Sequence, residues 1–411
     1  MELNTLRDEA HDLFGEMVSL RRTLHSWPEV GNDLPITKEN VLAALEGLPL
    51  HLVLHQTTSG IAALLEGGRP GPTVLLRGDM DALPMPENTG LEFASRVGGQ
   101  MHACGHDTHT SMLVAAAKLL SARRADIPGR VLFMFQPGEE GYAGAKFMLD
   151  EGLLDVGPRS DGSPSPITGA FALHISSAMP TGWVSTRRGS IMASADRMVI
   201  TVTGRGGHAS EPHRALDPIP VACEIVQALQ TMITRTVDVF DPSVVTVGRI
   251  TAGTTNNVIP ESAEIEGTIR AVSERTRAKV HDGIRRVAEG ICAAHGTDVV
   301  VEVIPGYPVT VNNDTFADFA TGVAEEIIGA EHVRRLPNPV MGAEDFSYVL
   351  NEVPGTMMFL GGTPSGRDPA TAAPNHSNRV MFDETAMING AALYAAIALR
   401  HLAAGDQPLG R

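Results

Sequence analysis

Cysteine is scarce in this chain. Cys104, Cys223 and Cys292 are its only three, spread through 411 positions. So few and so scattered, they form no disulfide framework and suit a reducing compartment, so a cytoplasmic location is expected. There is no C-x-x-C pair, no G-x-S-x-G elbow and no H-E-x-x-H helix, which removes the thiol-redox, serine-hydrolase and zincin readings. No run of Lys and Arg offsets the net charge of −16. The chain therefore lacks the basic footprint of a sequence-blind nucleic-acid binder. No stretch approaches about 18 consecutive apolar residues, so no membrane span is expected. The first residues carry acids and no long apolar core, so no secretory signal is expected.

What is present is an ordinary globular composition, 43% apolar and 19% charged, at a length that suggests about two to three domains. Residues 1 to 26 have helical spacing. Short apolar runs then alternate with helical patterns: Thr73 to Arg77, Arg130 to Gln136 and Ala170 to Ile175 read as strands, Ser111 to Ser121 and Gly144 to Asp150 as helices. Near-continuous apolar strands separated by helices predict an α/β layer with a mostly parallel sheet. Between about 190 and 304 the pattern changes to strand, helix, strand, strand, helix, strand, the ferredoxin-like β-α-β-β-α-β order. That segment reads as a domain inserted between residues 1–189 and 305–411.

The densest chemistry lies between Met101 and Thr110, where Cys104, His102, His106, His109 and Asp107 surround Gly105. A thiolate, imidazoles and a carboxylate suit a divalent transition metal. The bland alternative is a polar loop that happens to be rich in His. Further candidates follow other strands: Asp79 and Asp81 after the first, Glu139 and Glu140 after the second, His174 at the end of the third. Ligand sites of open α/β sheets lie outside the carboxyl ends of their strands. Paired Glu on a glycine-bounded turn suits hydrolysis, one acid holding an ion and the other moving protons; alone, it would read as a solvated acidic loop. His376, between Asn375 and Ser377, could close the site. In the inserted segment, His208 sits in the Gly-rich stretch from Gly204 to Ser210, Asn256 and Asn257 offer amides, and Arg270 could grip a carboxylate through two hydrogen bonds; an ordinary strand-end cation is the alternative there.

Asp79 to Pro84, Met101 to Thr110, Gln136 to Gly141, Gly204 to Ser210, Asn257 to Pro260 and Pro374 to Asn378 occur in an order that resembles the amidohydrolase branch of the M20 family of metallohydrolases, over nearly the whole chain. That branch includes hippurate hydrolases, N-acyl-amino-acid amidohydrolases and hydrolases of indoleacetic acid–amino acid conjugates. The resemblance implies a catalytic domain with two divalent ions (Zn, Mn, Co or Ni) and an inserted lid domain that forms a homodimer. By motif match it implies Cys104, His106, Glu140, His174 and His376 as metal ligands and Glu139 as general base. His208, Asn257 and Arg270 become substrate-binding lid residues. Many other M20 members carry a His at the position of Asp79 and an Asp in place of the Cys-Gly-His cluster. The implied activity is hydrolysis of the amide of an N-acyl amino acid by a metal-activated water. An N-acetyldiaminopimelate-type deacetylase or a dipeptidase is the alternative within enzymes, and a metal-binding protein without catalysis the alternative outside them.

Overall fold

The structure, a computed structural model, describes Leu3 and residues 5–405. It divides into two compact units. The first comprises Met1–Gly189, Val311–Pro337 and Tyr348–Arg411, and the second Ser190–Thr310 and Asn338–Ser347. The segment 338–347, which the sequence reading leaves with residues 305–411, groups instead with the second unit. The Ala193 N–H donates to Val340 O (3.1 Å) and Gly342 O (2.9 Å), ties that a local pattern cannot reveal.

The first unit holds an eight-stranded sheet. Its order is Leu50–Leu54, Ile61–Glu66, Pro128–Gln136, Arg69–Asp79, Ile167–Pro180, Gly355–Thr363, Val184–Thr186, Val333–Arg335. The central four strands run parallel. Leu50–Leu54 pairs antiparallel with Ile61–Glu66, which pairs antiparallel with Pro128–Gln136, and Val184–Thr186 opposes Gly355–Thr363. Val333–Arg335 runs parallel to Val184–Thr186, so the sheet is mixed, with four parallel and three antiparallel pairings among the described residues. The short return from Leu54 to Ile61 leaves no room for a crossover helix, so those two strands can only pair as a hairpin.

Helix Ala386–Ala403 is long and apolar enough to cross a membrane by length and composition, yet 83% of it is buried inside the fold. Its Tyr394 hydroxyl donates to Arg77 O (2.7 Å) and accepts from the Leu173 N–H (3.1 Å). That single side chain ties two of the parallel strands together at mid-sheet. The two helical segments near the amino terminus, Leu6–Asp12 and Phe14–Ser26, are separated at Leu13.

The second unit carries a four-stranded antiparallel sheet in the order Ser243–Ala252, Ser262–Ala271, Ala195–Thr203, Asp298–Tyr307. Helices Pro218–Thr236 and Glu274–His295 alternate with these strands along the chain. Their starts are written in the sequence: the Asp217 side chain accepts from the Ile219 N–H (3.0 Å), and Ser273 Oγ from the Thr276 N–H (3.1 Å), the usual way to satisfy otherwise orphaned donors. Ile225 and Leu229 of one helix and Val280 and Ile284 of the other pack with Ile200, Ile265 and Ile269 of the sheet.

Candidate metal centre

Arg69–Asp79 and Pro128–Gln136 end side by side, with Asp79 paired to Gln136. The chain leaves both strands at the same edge, and this places Asp81 beside the turn that follows Gln136. The Asp81 carboxylate accepts the backbone N–H of Glu139 at one oxygen and of Glu140 at the other, each at 3.0 Å. Its carbonyl oxygen accepts from His106 Nδ1 (2.9 Å). One buried residue thus sets the Glu-Glu turn and the His106 ring together. Sequence reasoning marks Asp81 as a candidate without a role; its Asp-x-Asp-Ala-Leu-Pro setting was the available signal. The turn needs Gly138, whose φ is 66° and where a Cβ would stand 1.9 Å from Asn32 Oδ1.

The helix expected from Ser111 begins earlier, at His106, and runs to Ala122. His106 and His109 are therefore on its first turns rather than on a loop. Gly105 turns the chain into it with φ 86°; a Cβ there would come within 2.4 Å of Ile175 Cγ2. His376 also has a left-handed backbone, φ 67°, a conformation that costs a non-glycine residue about 1–2 kcal/mol. It is held by its N–H to Ala103 O (2.9 Å) and by Asn375. The Asn375 amide donates to Ile175 O (2.9 Å), and its oxygen accepts from the Ser177 N–H (3.1 Å).

These elements bring five donors together. Cys104 Sγ lies 3.3 Å from His174 Nε2 and 3.2 Å from His376 Nε2. Glu140 Oε1 lies 3.2 Å from His376 Nε2 and 3.9 Å from His106 Nε2. Cys104 groups with His106 and His174 on one side and with Glu140 and His376 on the other. Two donors on one ion at about 2.0–2.3 Å, spread tetrahedrally, stand about 3.2–3.8 Å apart, so the spacing fits shared ions. His106 Nε2 and Glu140 Oε1 are buried and make no well-aligned hydrogen bond among the described residues, although Asp79 Oδ2 lies 3.3 Å from the first and His376 Nε2 3.2 Å from the second; groups of that kind are otherwise fully paired. The donor set of thiol, imidazoles and carboxylate fits a divalent transition metal. Glu139, 6% exposed, sits at the edge of the group, its Oε2 4.0 Å from His106 Nε2.

The charges agree with a place prepared for a cation. Burial, then the Glu140 charge, pushes the Cys104 thiol up. His376 is pushed up to about 10, first by its bond to Cys104 and then by Glu140. Burial works against a charged His106, but Asp79 holds its pKa well above the usual range. Burial, then His109, holds His174 well below it, so its Nε2 keeps a lone pair to offer.

Two other imidazoles of the cluster stand apart from the five. His102 is 1% exposed, and neither ring nitrogen has a hydrogen-bond partner among the described residues. Both nitrogens of His109 are committed, to Asp79 and to the Ile175 N–H.

In the second unit, Gly207–His208 pairs with Val258–Ile259, and the Ala209 N–H donates to Asn257 O (3.1 Å). His208 and Asn257 are therefore neighbours. His208 Nδ1 accepts from the Ser210 N–H (3.2 Å), which puts the ring proton on Nε2. Arg270 is elsewhere. It lies near the far end of Ser262–Ala271, about 25 Å along the strand from Ser262 at ~3.3 Å per residue, whereas Asn257 precedes the near end. The Arg270 guanidinium is half-buried and finds no hydrogen-bond partner among the described residues.

A match to the family described as Peptidase family M20/M25/M40 spans residues 75–400. A Saccharolobus solfataricus protein named thermostable carboxypeptidase 1 is 36% identical over 399 residues, 96% of this chain and 98% of its own. A Bacillus subtilis N-acetylcysteine deacetylase is 37% identical over 357 residues, 86% and 90% of the two chains. An Arabidopsis thaliana protein named IAA-amino acid hydrolase ILR1-like 4 is 36% identical over 397 residues, 95% and 87%. Among solved structures, a Bacillus subtilis protein described as a dinuclear metal binding peptidase from the M20 family matches with a TM-score of 0.79 and 32% identity, over 96% of this chain and 99% of its own. With that coverage by family and relatives alike, the chain belongs to peptidase family M20/M25/M40, within its amidohydrolase branch, and is an enzyme that acts on amides.

Proposed function

We propose that this protein hydrolyses the amide of N-acyl amino acids, releasing a carboxylic acid and a free amino acid. The observation that carries the proposal is the meeting of Cys104, His106, Glu140, His174 and His376 at ligand spacing, with Glu139 beside them. Those five would hold two divalent ions, which when bound supply Lewis acidity toward the amide carbonyl and toward water. Zn, Mn, Co or Ni would suit them, with availability deciding among these. Glu139 takes the proton of the attacking water at its carboxylate and returns it to the leaving nitrogen. His208 donates from Nε2 to the developing oxyanion. Arg270 grips the carboxylate of the amino acid half.

The relatives' names share one chemical feature that supports this reading. A carboxypeptidase, an N-acetylcysteine deacetylase and a hydrolase of IAA–amino acid conjugates all cut an amide whose nitrogen belongs to an amino acid. The carboxypeptidase and the deacetylase are about equally similar to this chain, at 36% and 37%. A carboxypeptidase or dipeptidase activity therefore stands as the second reading.

The distance between Arg270 and the His208–Asn257 pair supports the dimer. One compact substrate cannot touch both ends of the same second unit, so a second copy would lend His208 and Asn257 to this chain's site. The test is release of amino acid from N-acyl amino acids, N-acetyldiaminopimelate and simple dipeptides, using metal-stripped protein reloaded with Zn, Mn, Co or Ni. Turnover of the N-acyl amino acids is expected. Turnover confined to dipeptides, or none with any metal, would overturn the proposal.

A further inference from the structure

The third imidazole of the cluster, His109, is not explained by ligation. It is completely buried, and its ring packs against both flanking imidazoles, with centroids 4.9 Å from His174 and 5.5 Å from His106. Its hydrogen bonds fix its tautomer. The Ile175 N–H can only donate, and it points to His109 Nε2 at 2.7 Å. Nε2 therefore carries the lone pair and Nδ1 the proton, which goes to Asp79 Oδ1 at 2.6 Å. Asp79 is in turn paired with the buried Arg77 guanidinium at 2.7 Å.

The carbonyl of the same residue explains why this matters. The Ile175 carbonyl accepts from His174 Nδ1 at 2.8 Å. A carbonyl can only accept, so His174 carries its proton on Nδ1 and leaves Nε2 facing Cys104. The orientation of His174 is thus set by the Ile175 carbonyl, which also accepts from the Asn375 amide (2.9 Å), and the backbone of that residue is anchored at its N–H by His109. The anchor stands where the sheet lacks one. Arg69–Asp79 and Ile167–Pro180 are paired only as far as Arg77 and Ala172, and the two strands then part to form the crevice at their carboxyl ends. On that side of the sheet Ile175 has no ladder partner, and a side chain from the neighbouring helix supplies one.

We infer that His109 is a positioning residue of the metal centre: it presents His174 Nε2 to the ion by anchoring the Ile175 backbone at its N–H, with Asp79 and Arg77 fixing its tautomer. The inference rests on the metal centre proposed above. Partners of this kind typically change metal affinity by about 10–100-fold.

Two polar variants divide the role of His109. His109→Gln reaches the Ile175 N–H with its amide oxygen. His109→Asn reaches Asp79 but is too short for Ile175. Metal-free protein of each is titrated with Co(II), following the thiolate charge-transfer and d–d absorption, and the affinity is measured against a competing chelator. His109→Gln is expected to keep the wild-type spectrum and an affinity within about threefold. His109→Asn should lose about 10–100-fold and show altered d–d bands. Wild-type behaviour of His109→Asn, or equal losses in both variants, overturns the inference. A measurement on the unmodified protein holds whatever the variants' folding. In the ¹¹³Cd-loaded enzyme, ¹⁵N spectra should show metal coupling at Nε2 of His106 and His174, and at His109 an uncoupled Nε2 with the proton on Nδ1. Coupling at His109 overturns the inference while leaving the metal centre intact. Failure to bind Cd or Co at all removes the metal centre itself.

Discussion

Cys104 Sγ lies 3.2 Å from His376 Nε2, although 272 positions separate the two residues. The contact joins the Cys-Gly-His turn to the loop carrying Asn375 and His376, and with Glu140 it completes one group of candidate donors. Burial and the Glu140 charge hold Cys104 toward the thiol, whereas a thiolate is the form that binds metal, so binding would displace its proton.

Replacing that sulfur tests its part. Cys104→Ser is expected to lower bound metal and turnover together, because a hydroxyl ionises too rarely to stand in for a thiolate. Elemental analysis of the purified variant decides. Full loading with normal turnover would place Cys104 outside the ligand set.

The two adjacent glutamates should separate. Glu139→Gln is expected to keep its metal and lose about 10²–10⁴-fold in kcat, the usual range for a general base. Glu140→Gln should lose metal as well, since it removes a charged ligand. If Glu139→Gln alone becomes metal-poor, the two roles are reversed.

Arg270 should be read through the substrate's carboxylate. For an N-acyl amino acid, Arg270→Ala is expected to cost about 1–3 kcal/mol in kcat/KM, the range of a charged hydrogen bond. For the same compound with its carboxylate amidated, the substitution should cost little. Equal losses on the acid and the amide would remove Arg270 from carboxylate recognition.

His102 gives the protein a pH-dependent stability. Burial holds its imidazole down at about 3, against the pull of Asp107, while in the unfolded chain it protonates near 6.5. The unfolded state therefore binds more protons between those values. The contribution of a neutral His102 is complete above about pH 6.5 and is lost progressively as pH falls toward 3. Urea unfolding of metal-free protein should show His102→Leu losing less stability than the wild type over that interval. Equal losses would mean that His102 is not held neutral.

Subunit exchange tests the proposed role of His208 across a dimer. His208→Ala and Glu139→Gln proteins, each impaired alone, are expected to regain activity when mixed, because a heterodimer would hold one site with both residues intact. Exchange demonstrated by mass spectrometry without recovered activity would contradict a role across the dimer.

Much of the candidate centre's clustering was legible because its residues sit at strand ends or beside glycines. Cys104, His106, Glu140, His174 and His376 all meet in space, and their positions relative to Thr73–Arg77, Arg130–Gln136 and Ala170–Ile175 already pointed to one edge of the sheet. The division of labour within the cluster was not legible. His102, His106 and His109 differ only in what lies across from them: no hydrogen-bond partner for the first, Asp81 O for the second, Asp79 and the Ile175 N–H for the third. Those partners come from distant segments, so no local pattern encodes them. The same holds for the antiparallel flanks of the sheet and for the segment 338–347. The second unit was easier to read, since its alternating strands and its Asp217 and Ser273 caps are local signals. The sequence left open how its two ends are used, and only the length of the strand between Asn257 and Arg270 shows that they are far apart.

The account stands or falls on whether the clustered donors hold two ions and whether those ions are needed for amide hydrolysis. Metal-stripped protein can be titrated with Zn(II), with bound metal measured by elemental analysis and amino acid release from an N-acyl amino acid followed in the same samples. The account predicts saturation at two ions per chain, no release without metal, and loss of both binding and release in Glu140→Gln. Full release from metal-free protein, or saturation that Glu140→Gln and Cys104→Ser leave unchanged, would contradict it.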